Sequence, residues 1–170
     1  MHERTAPIER LAPLEIGGTM REELCALLAA VPLFDGFSGQ DLRLLTPYLQ
    51  AYRVPANATI AEEGCAGDHL GIILEGRVAM YRKDGTGTQT LVTDMPAGMT
   101  YGAMSLIDAL PQTATIIAET DAMLAALDHD SFRRLIDNHA IIGVRLLHRI
   151  SSLLSQQLRE VRGQLVEYLG

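Results

Sequence analysis

The chain has 170 residues, 48% of them hydrophobic and none of them Trp, and its 14 Lys and Arg against 21 Asp and Glu leave a formal charge of −7. That length suits one domain with a short extension, and the composition excludes the disordered, collagenous and disulfide-stapled classes. The acidic balance excludes a broad basic surface for non-specific binding of nucleic acid or anionic lipid, and two distant cysteines, Cys25 and Cys65, make neither a disulfide framework nor a cysteine-rich metal site.

Residues 1–19 mix Pro7, Pro13 and Gly17-Gly18 with charges and no period, and read as a loose leader without the apolar run of a secretory signal. From Met20 onward Leu24, Leu27, Leu28 and Val31 recur at helical spacing up to Pro32. After a turn at Asp35-Gly36 a second short helix is predicted, with Leu42, Leu45 and Leu49 on one face. Between Gln50 and Leu127 short apolar or alternating runs are broken by Gly, Pro, Asn and Asp, which predicts strands at 51–54, 58–61, 70–74, 77–82, 89–94, 114–119 and 123–127. Short strands at this spacing, with no long helix between most of them, predict an antiparallel sandwich, roll or barrel. Glu75-Gly76 and Asp84-Gly85 fit two hairpin turns, where Gly supplies a positive φ.

The run Asp128-His129-Asp130-Ser131 offers several oxygen caps, and helical spacing then returns to the end of the chain. Phe132, Leu135 and Ile136 mark a short helix. Leu147, Ile150, Leu154, Leu158, Val161, Leu165 and Tyr168 follow at steps of 3, 4, 4, 3, 4 and 3 residues, nearly a heptad seam. A seam of about 22 residues is longer than a small roll covers, so residues 140–170 are expected to form a homodimer helix with Leu147, Ile150, Leu154, Leu158, Val161 and Leu165 at the interface. No stretch approaches the roughly 18 apolar residues of a membrane span, and a cytoplasmic protein is expected. His69, His129, His139 and His148 form no metal-ligand pattern, and no nucleophile–base arrangement or phosphate loop is present, so no enzyme activity is expected.

Two glycine clusters carry a further signal. The first is Glu63-Gly64-Cys65-Ala66-Gly67-Asp68-His69-Leu70-Gly71-Ile72-Ile73-Leu74-Glu75-Gly76-Arg77-Val78. The second runs Gly98-Met99-Thr100-Tyr101-Gly102-Ala103-Met104-Ser105-Leu106-Ile107-Asp108 and ends in Pro111-Gln112-Thr113-Ala114-Thr115. In this order, with the long final helix, they resemble the cyclic nucleotide-binding domain family over residues 30–168. The resemblance implies a mainly β fold: an antiparallel β-roll (double-stranded β-helix, or jelly roll) with flanking helices over residues 20–139, followed by a short helix and the long C-terminal dimerisation helix. It also implies a ligand, cAMP or cGMP, held by Gly102, Ala103, Met104, Ser105, Gln112, Thr113 and Ala114, with Gln157 of the last helix facing the base.

Two positions depart from the family pattern. The residue after the glycine is usually a Glu that accepts from the ribose hydroxyl, and the residue after the later Pro is usually an Arg that forks onto the phosphate; here they are Ala103 and Gln112. Losing both charge-assisted contacts weakens binding by roughly 3–6 kcal/mol, about a hundredfold to ten-thousandfold. The expected function is a non-enzymatic regulatory or sensor module with a degenerate phosphate site, read by a downstream protein partner. Two alternatives compete with it: a ligand-free dimeric interaction scaffold, and a haem-based gas or redox sensor using His148 or another histidine. Cys65 reads as a small turn residue, with a redox sensor as its alternative. Direct DNA binding is not expected, because the chain reaches Gly170 some tens of residues short of where a helix-turn-helix would lie. Charge is uneven too: residues 140–170 hold four Arg against two Glu, a local +2 that leaves −9 on residues 1–139.

Overall fold

Alternation of apolar side chains along the strands is resolved as two antiparallel four-stranded sheets packed against each other. In the computed structural model residues 7–169 are described, and all of their side chains except those at 9, 10 and 165–169. The strands are β1 (Gln50–Val54), β2 (Thr59–Ala61), β3 (His69–Glu75), β4 (Arg77–Lys83), β5 (Gln89–Pro96), β6 (Thr100–Tyr101), β7 (Thr115–Ala118) and β8 (Ala122–Asp128). One sheet has the order β1-β8-β3-β6 and the other β2-β7-β4-β5. The helices are α1 (Gly18–Ala29), α2 (Gly39–Leu45), α3 (Ala103–Asp108), α4 (His129–Asn138) and α5 (Ala140–Leu169). This is the β-roll with flanking helices and a long final helix that the sequence predicts.

The first sheet is buried on both faces, which explains why β8 reads as an unbroken apolar run. On one face Ala51, Leu70, Ile72, Leu74, Met123, Ala125 and Leu127 pack under the helices. On the other Tyr52, Val54, Ile73, Ala122, Leu124 and Ala126 meet Ile60, Val78, Met95 and Ile116 of the second sheet. Each position switches core with its neighbour because strand side chains alternate faces.

Helix starts follow local chemistry. Ser38 and Asp41 form a reciprocal capping box on α2, the Ser38 N–H donating to Asp41 Oδ2 (2.8 Å) and the Asp41 N–H to Ser38 Oγ (3.1 Å). Among the oxygens in the run 128–131, Asp128 is the cap of α4, accepting from the Ser131 N–H (2.7 Å) and hydroxyl (2.9 Å). Two arginines tie α5 to the N-terminal helices: Arg145 donates to Asp41 (2.6 Å), and Arg149 to the carbonyls of Leu33 (3.1 Å) and Pro32.

Several expectations are corrected. The leader is not loose throughout: residues 7–10 form a 3-10 turn whose Ile8 is buried in the inter-sheet core, and Leu14 bridges to Ala51. The second helix stops at Leu45, after which Thr46–Tyr48 form a 3-10 turn around Pro47, which has no N–H to donate. In the β4–β5 hairpin the positive φ falls on Gly87 (82°) and not on Gly85, because the Asp84 carboxylate accepts from the Thr86 and Thr88 N–H groups and carries the turn two residues further. Strand β6 went unpredicted, since two residues show no alternation.

The heptad seam divides. Ile150 is fully buried (0% exposed) with Ile142 and Leu146 in its own domain's core, so it does not face a second copy. Leu154 also packs against that core, whereas Leu147, Leu158 and Val161 are exposed, together with Val144. A helix turning about 100° per residue drifts away from a strict 3-4 repeat, so a straight helix presents such a pattern to more than one neighbour. Leu165 and Tyr168 lie outside the described side chains.

Candidate functional site

The site is a cavity of about 500 Å³ between the roll and the middle of α5. Its roll-side wall is set by close backbone packing. Gly102 caps α3 at φ 74°, and a β-carbon there would lie 2.3 Å from the His69 carbonyl oxygen, so only glycine fits without displacing β3. Across the same pair of strands, a β-carbon on Gly71 would lie 2.0 Å from the Tyr101 ring. The missing side chain is the space that Tyr101 fills.

All eight residues expected at the ligand, Gly102, Ala103, Met104, Ser105, Gln112, Thr113, Ala114 and Gln157, line this one cavity. Gln112 is the unusual one. It is 7% exposed, and its Nε2 has no hydrogen-bond partner. Ser105 Oγ lies beside it: both atoms would be 2.9 Å from a β-carbon on Gly67, so this glycine leaves room for the two polar groups. The backbone of Gln112 is held by its N–H donating to the Cys65 carbonyl (2.9 Å) and its carbonyl accepting from the Gly64 N–H (2.8 Å). The side-chain amide is thereby fixed at the cavity wall with a donor unused. An unpaired buried donor costs about 1–3 kcal/mol.

Two further buried groups lack partners, Tyr101 Oη and His69 Nε2, the two rings meeting edge to face at 6.0 Å. Burial, with a smaller contribution from nearby Tyr52, raises the Tyr101 hydroxyl far above the usual phenol range, so it stays protonated. His69 Nδ1–H donates to Asp68 (3.3 Å), and this bond is the first cause holding the Asp68 carboxyl below its ordinary range.

Sequence reading missed several lining residues. Met80, Met95, Met99, Glu160 and Gln164 were not singled out; all five line the cavity, Glu160 and Gln164 standing one and two turns beyond Gln157 on α5. Among the described lining residues there is no Lys, Arg or His, and Glu160 is the only one charged at neutral pH. His148 is exposed and lines instead a shallow apolar patch with Ala140, Ile141 and Val144. Cys65 is buried, its thiol donating to Glu62 (3.7 Å). Among the described residues no three His, Cys, Asp or Glu side chains gather as a metal site, and no helix is long and apolar enough to cross a membrane.

The family model described as cyclic nucleotide-binding domain matches residues 52–139, which runs from β1 through the second glycine cluster to the end of α4. The chain belongs to the cyclic nucleotide-binding domain family. It is 29% identical over 143 residues to a CRP-like cAMP-activated global transcriptional regulator of Mycobacterium tuberculosis, a match covering 84% of this chain and 62% of that protein. It is 32% identical over 111 residues to the cAMP-dependent protein kinase regulatory subunit of Aspergillus fumigatus, covering 65% and 26%. This domain therefore spans between about a quarter and three fifths of those relatives. Among solved structures, a cyclic nucleotide-binding domain from Methylobacillus flagellatus superposes with a TM-score of 0.78 at 29% identity, covering 93% of this chain and 89% of that one. That superposition extends the family likeness beyond residues 52–139 to most of the chain.

Proposed function

We propose that this cyclic nucleotide-binding domain is a non-enzymatic, dimeric sensor module whose ligand sits in the cavity between α3 and α5 and whose phosphate site is degenerate. The observation that carries the reading is the convergence of the eight ligand positions on one cavity, with a buried, unpaired Gln112 amide at its wall. The M. tuberculosis and A. fumigatus relatives are named for cAMP, which supports a ligand of cyclic nucleotide shape. Ala103 and Gln112 supply neither the carboxylate nor the guanidinium that such a ligand meets elsewhere in the family, so its affinity here is low.

A route for output exists in the packing. His129 Nδ1–H, in the first turn of α4, donates to the Leu106 carbonyl on α3 (2.9 Å). Helix α4 packs in turn against α5 where Gly143 meets Ile136; a β-carbon on Gly143 would lie 2.6 Å from that side chain. A ligand that prefers one position of α3 thus biases α4 and α5, which is a population shift between two arrangements of the long helix. The exposed Val144, Leu147 and Leu158 on α5 supply the apolar stripe for a second copy. The module would act inside the cell through a protein partner, without contacting DNA itself.

Calorimetric titration with cyclic AMP and cyclic GMP tests the pocket. The parent is expected to bind at millimolar concentration, and Ala103→Glu with Gln112→Arg to bind a hundredfold tighter or more. A folded double variant as blind as the parent would overturn this assignment of the cavity.

A further inference from the structure

The charge of the cavity points to the kind of ligand. A phosphodiester keeps its negative charge at every physiological pH, and moving it out of water requires a cation or a set of converging donors. No described lining residue is a cation. The one charge present is the Glu160 carboxylate, which is exposed, accepts from Gln156 Nε2 (3.0 Å), and has the same sign as the phosphate, so it repels it without offering compensation. The cavity is nevertheless of a size that holds a small molecule. Met80, Met95, Met99 and Met104 give it polarisable, adaptable apolar surface that suits a flat ring system. At the roll end the unpaired Gln112 amide and the Ser105 hydroxyl stand side by side, a match for vicinal hydroxyls, which both donate and accept. At the α5 end Gln157 offers an amide and Glu160 an acceptor one turn later, a match for the edge of a base that carries N–H donors.

From this distribution we infer that the site selects an uncharged purine nucleoside over the cyclic phosphate of the same base. The inference rests on the sensor reading above and narrows it to a ligand class. The neutral ligand loses less hydration on entry, avoids repulsion from Glu160, and gives Gln112 Nε2 the acceptor it lacks. Gln112 then has the role of a neutral specificity residue: it pairs a hydroxyl well and a phosphate poorly.

The experiment is a calorimetric comparison, on the full chain, of guanosine with cyclic GMP and of adenosine with cyclic AMP. At least one nucleoside is expected to bind tenfold or more tightly than its cyclic phosphate. Gln112→Arg is expected to reverse that order for the same base, and Gln112→Leu to weaken the nucleoside about tenfold, with circular dichroism confirming that each variant is folded. A cyclic phosphate that binds the parent as well as or better than its nucleoside overturns the inference and leaves the sensor reading standing. Silence from all four ligands, in the parent and in the folded Ala103→Glu, Gln112→Arg variant alike, overturns both. The ratio measured on the parent decides the matter even if a variant at Gln112 does not fold.

Discussion

On the roll side of the cavity the backbone has no freedom: Gly71 and Gly102 leave no room for a β-carbon, and Gln112 is held through both its N–H and its carbonyl. On the α5 side the support is one-ended. Up to Leu154 the helix is anchored by Ile142, Leu146 and Ile150 in the core and by Arg145 and Arg149 to the N-terminal helices. Beyond it, Gln157, Val161 and Gln164 still line the cavity, yet Val161 is 60% exposed, so this stretch stands beside the roll without being packed into it. One wall is fixed by close packing, and the other is packed at one end only. The proposed sensor role uses both, because a site with two rigid walls has no second arrangement for a ligand to select.

The largest expected effects separate the two halves of α5. Ile150 and Leu158 share one heptad-like pattern in the sequence, but one is buried and the other 53% exposed. Ile150→Ala is expected to remove about 2–5 kcal/mol of stability through the cavity it leaves, lowering Tm by about 4–20 °C. Leu158→Asp is expected to leave the domain's fold intact while sedimentation shows a monomer. If Leu158→Asp unfolds the domain, or leaves the mass of a dimer unchanged, the second half of α5 is not the exposed pairing surface described above.

A smaller loss is expected on the fixed wall. Gly102→Ala must hold a φ of 74° and displace the His69 carbonyl, for about 2–4 kcal/mol. Gln157→Ala, on the other wall, is expected to change stability by no more than about 0.5 kcal/mol, as for exposed positions generally. Thermal unfolding that finds the two variants equal would remove the contrast between the walls.

These differences show what sequence reading reaches. The antiparallel strands and the order of helices were legible because strand alternation, turn glycines and oxygen caps are local signals, whereas the β-roll itself and the eight cavity positions followed only from the resemblance of the two glycine clusters to a family. Ile150 was misassigned because a 3-4 periodicity says that a face is apolar and not what covers it. Glu160 and Gln164 were overlooked for the same reason: on a helix surface a polar residue facing solvent and one facing a cavity are spelled alike. Met80 and Met95 alternate as core residues do, and only the approach of α5 to the roll turns that interior into the lining of a cavity. Gln112 could be seen to replace an Arg, but its unpaired, buried amide depends on Gly67 and on the hydrogen bonds of residues 64 and 65, which no single segment encodes.

A comparably small effect concerns the anchoring that makes α5 one-ended. The Asp41 carboxylate accepts from the Ser38 N–H and from Arg145, and the Ser38 backbone hydrogen bond is the first cause that holds its carboxyl below the ordinary range. A carboxyl depressed in the folded state stabilises above its unfolded pKa of about 3.9, and that contribution is lost as pH falls through its folded value. Asp41→Ala is therefore expected to lose about 0.5 kcal/mol at pH 7, since the group lies in the first turn of α2 near the surface. In thermal melts the gap between parent and variant should be about 1–2 °C at neutral pH and should close below about pH 4. A gap that persists unchanged into acid would mean that Asp41 acts through packing, and that the link from α2 to α5 is not the charged contact between Asp41 and Arg145.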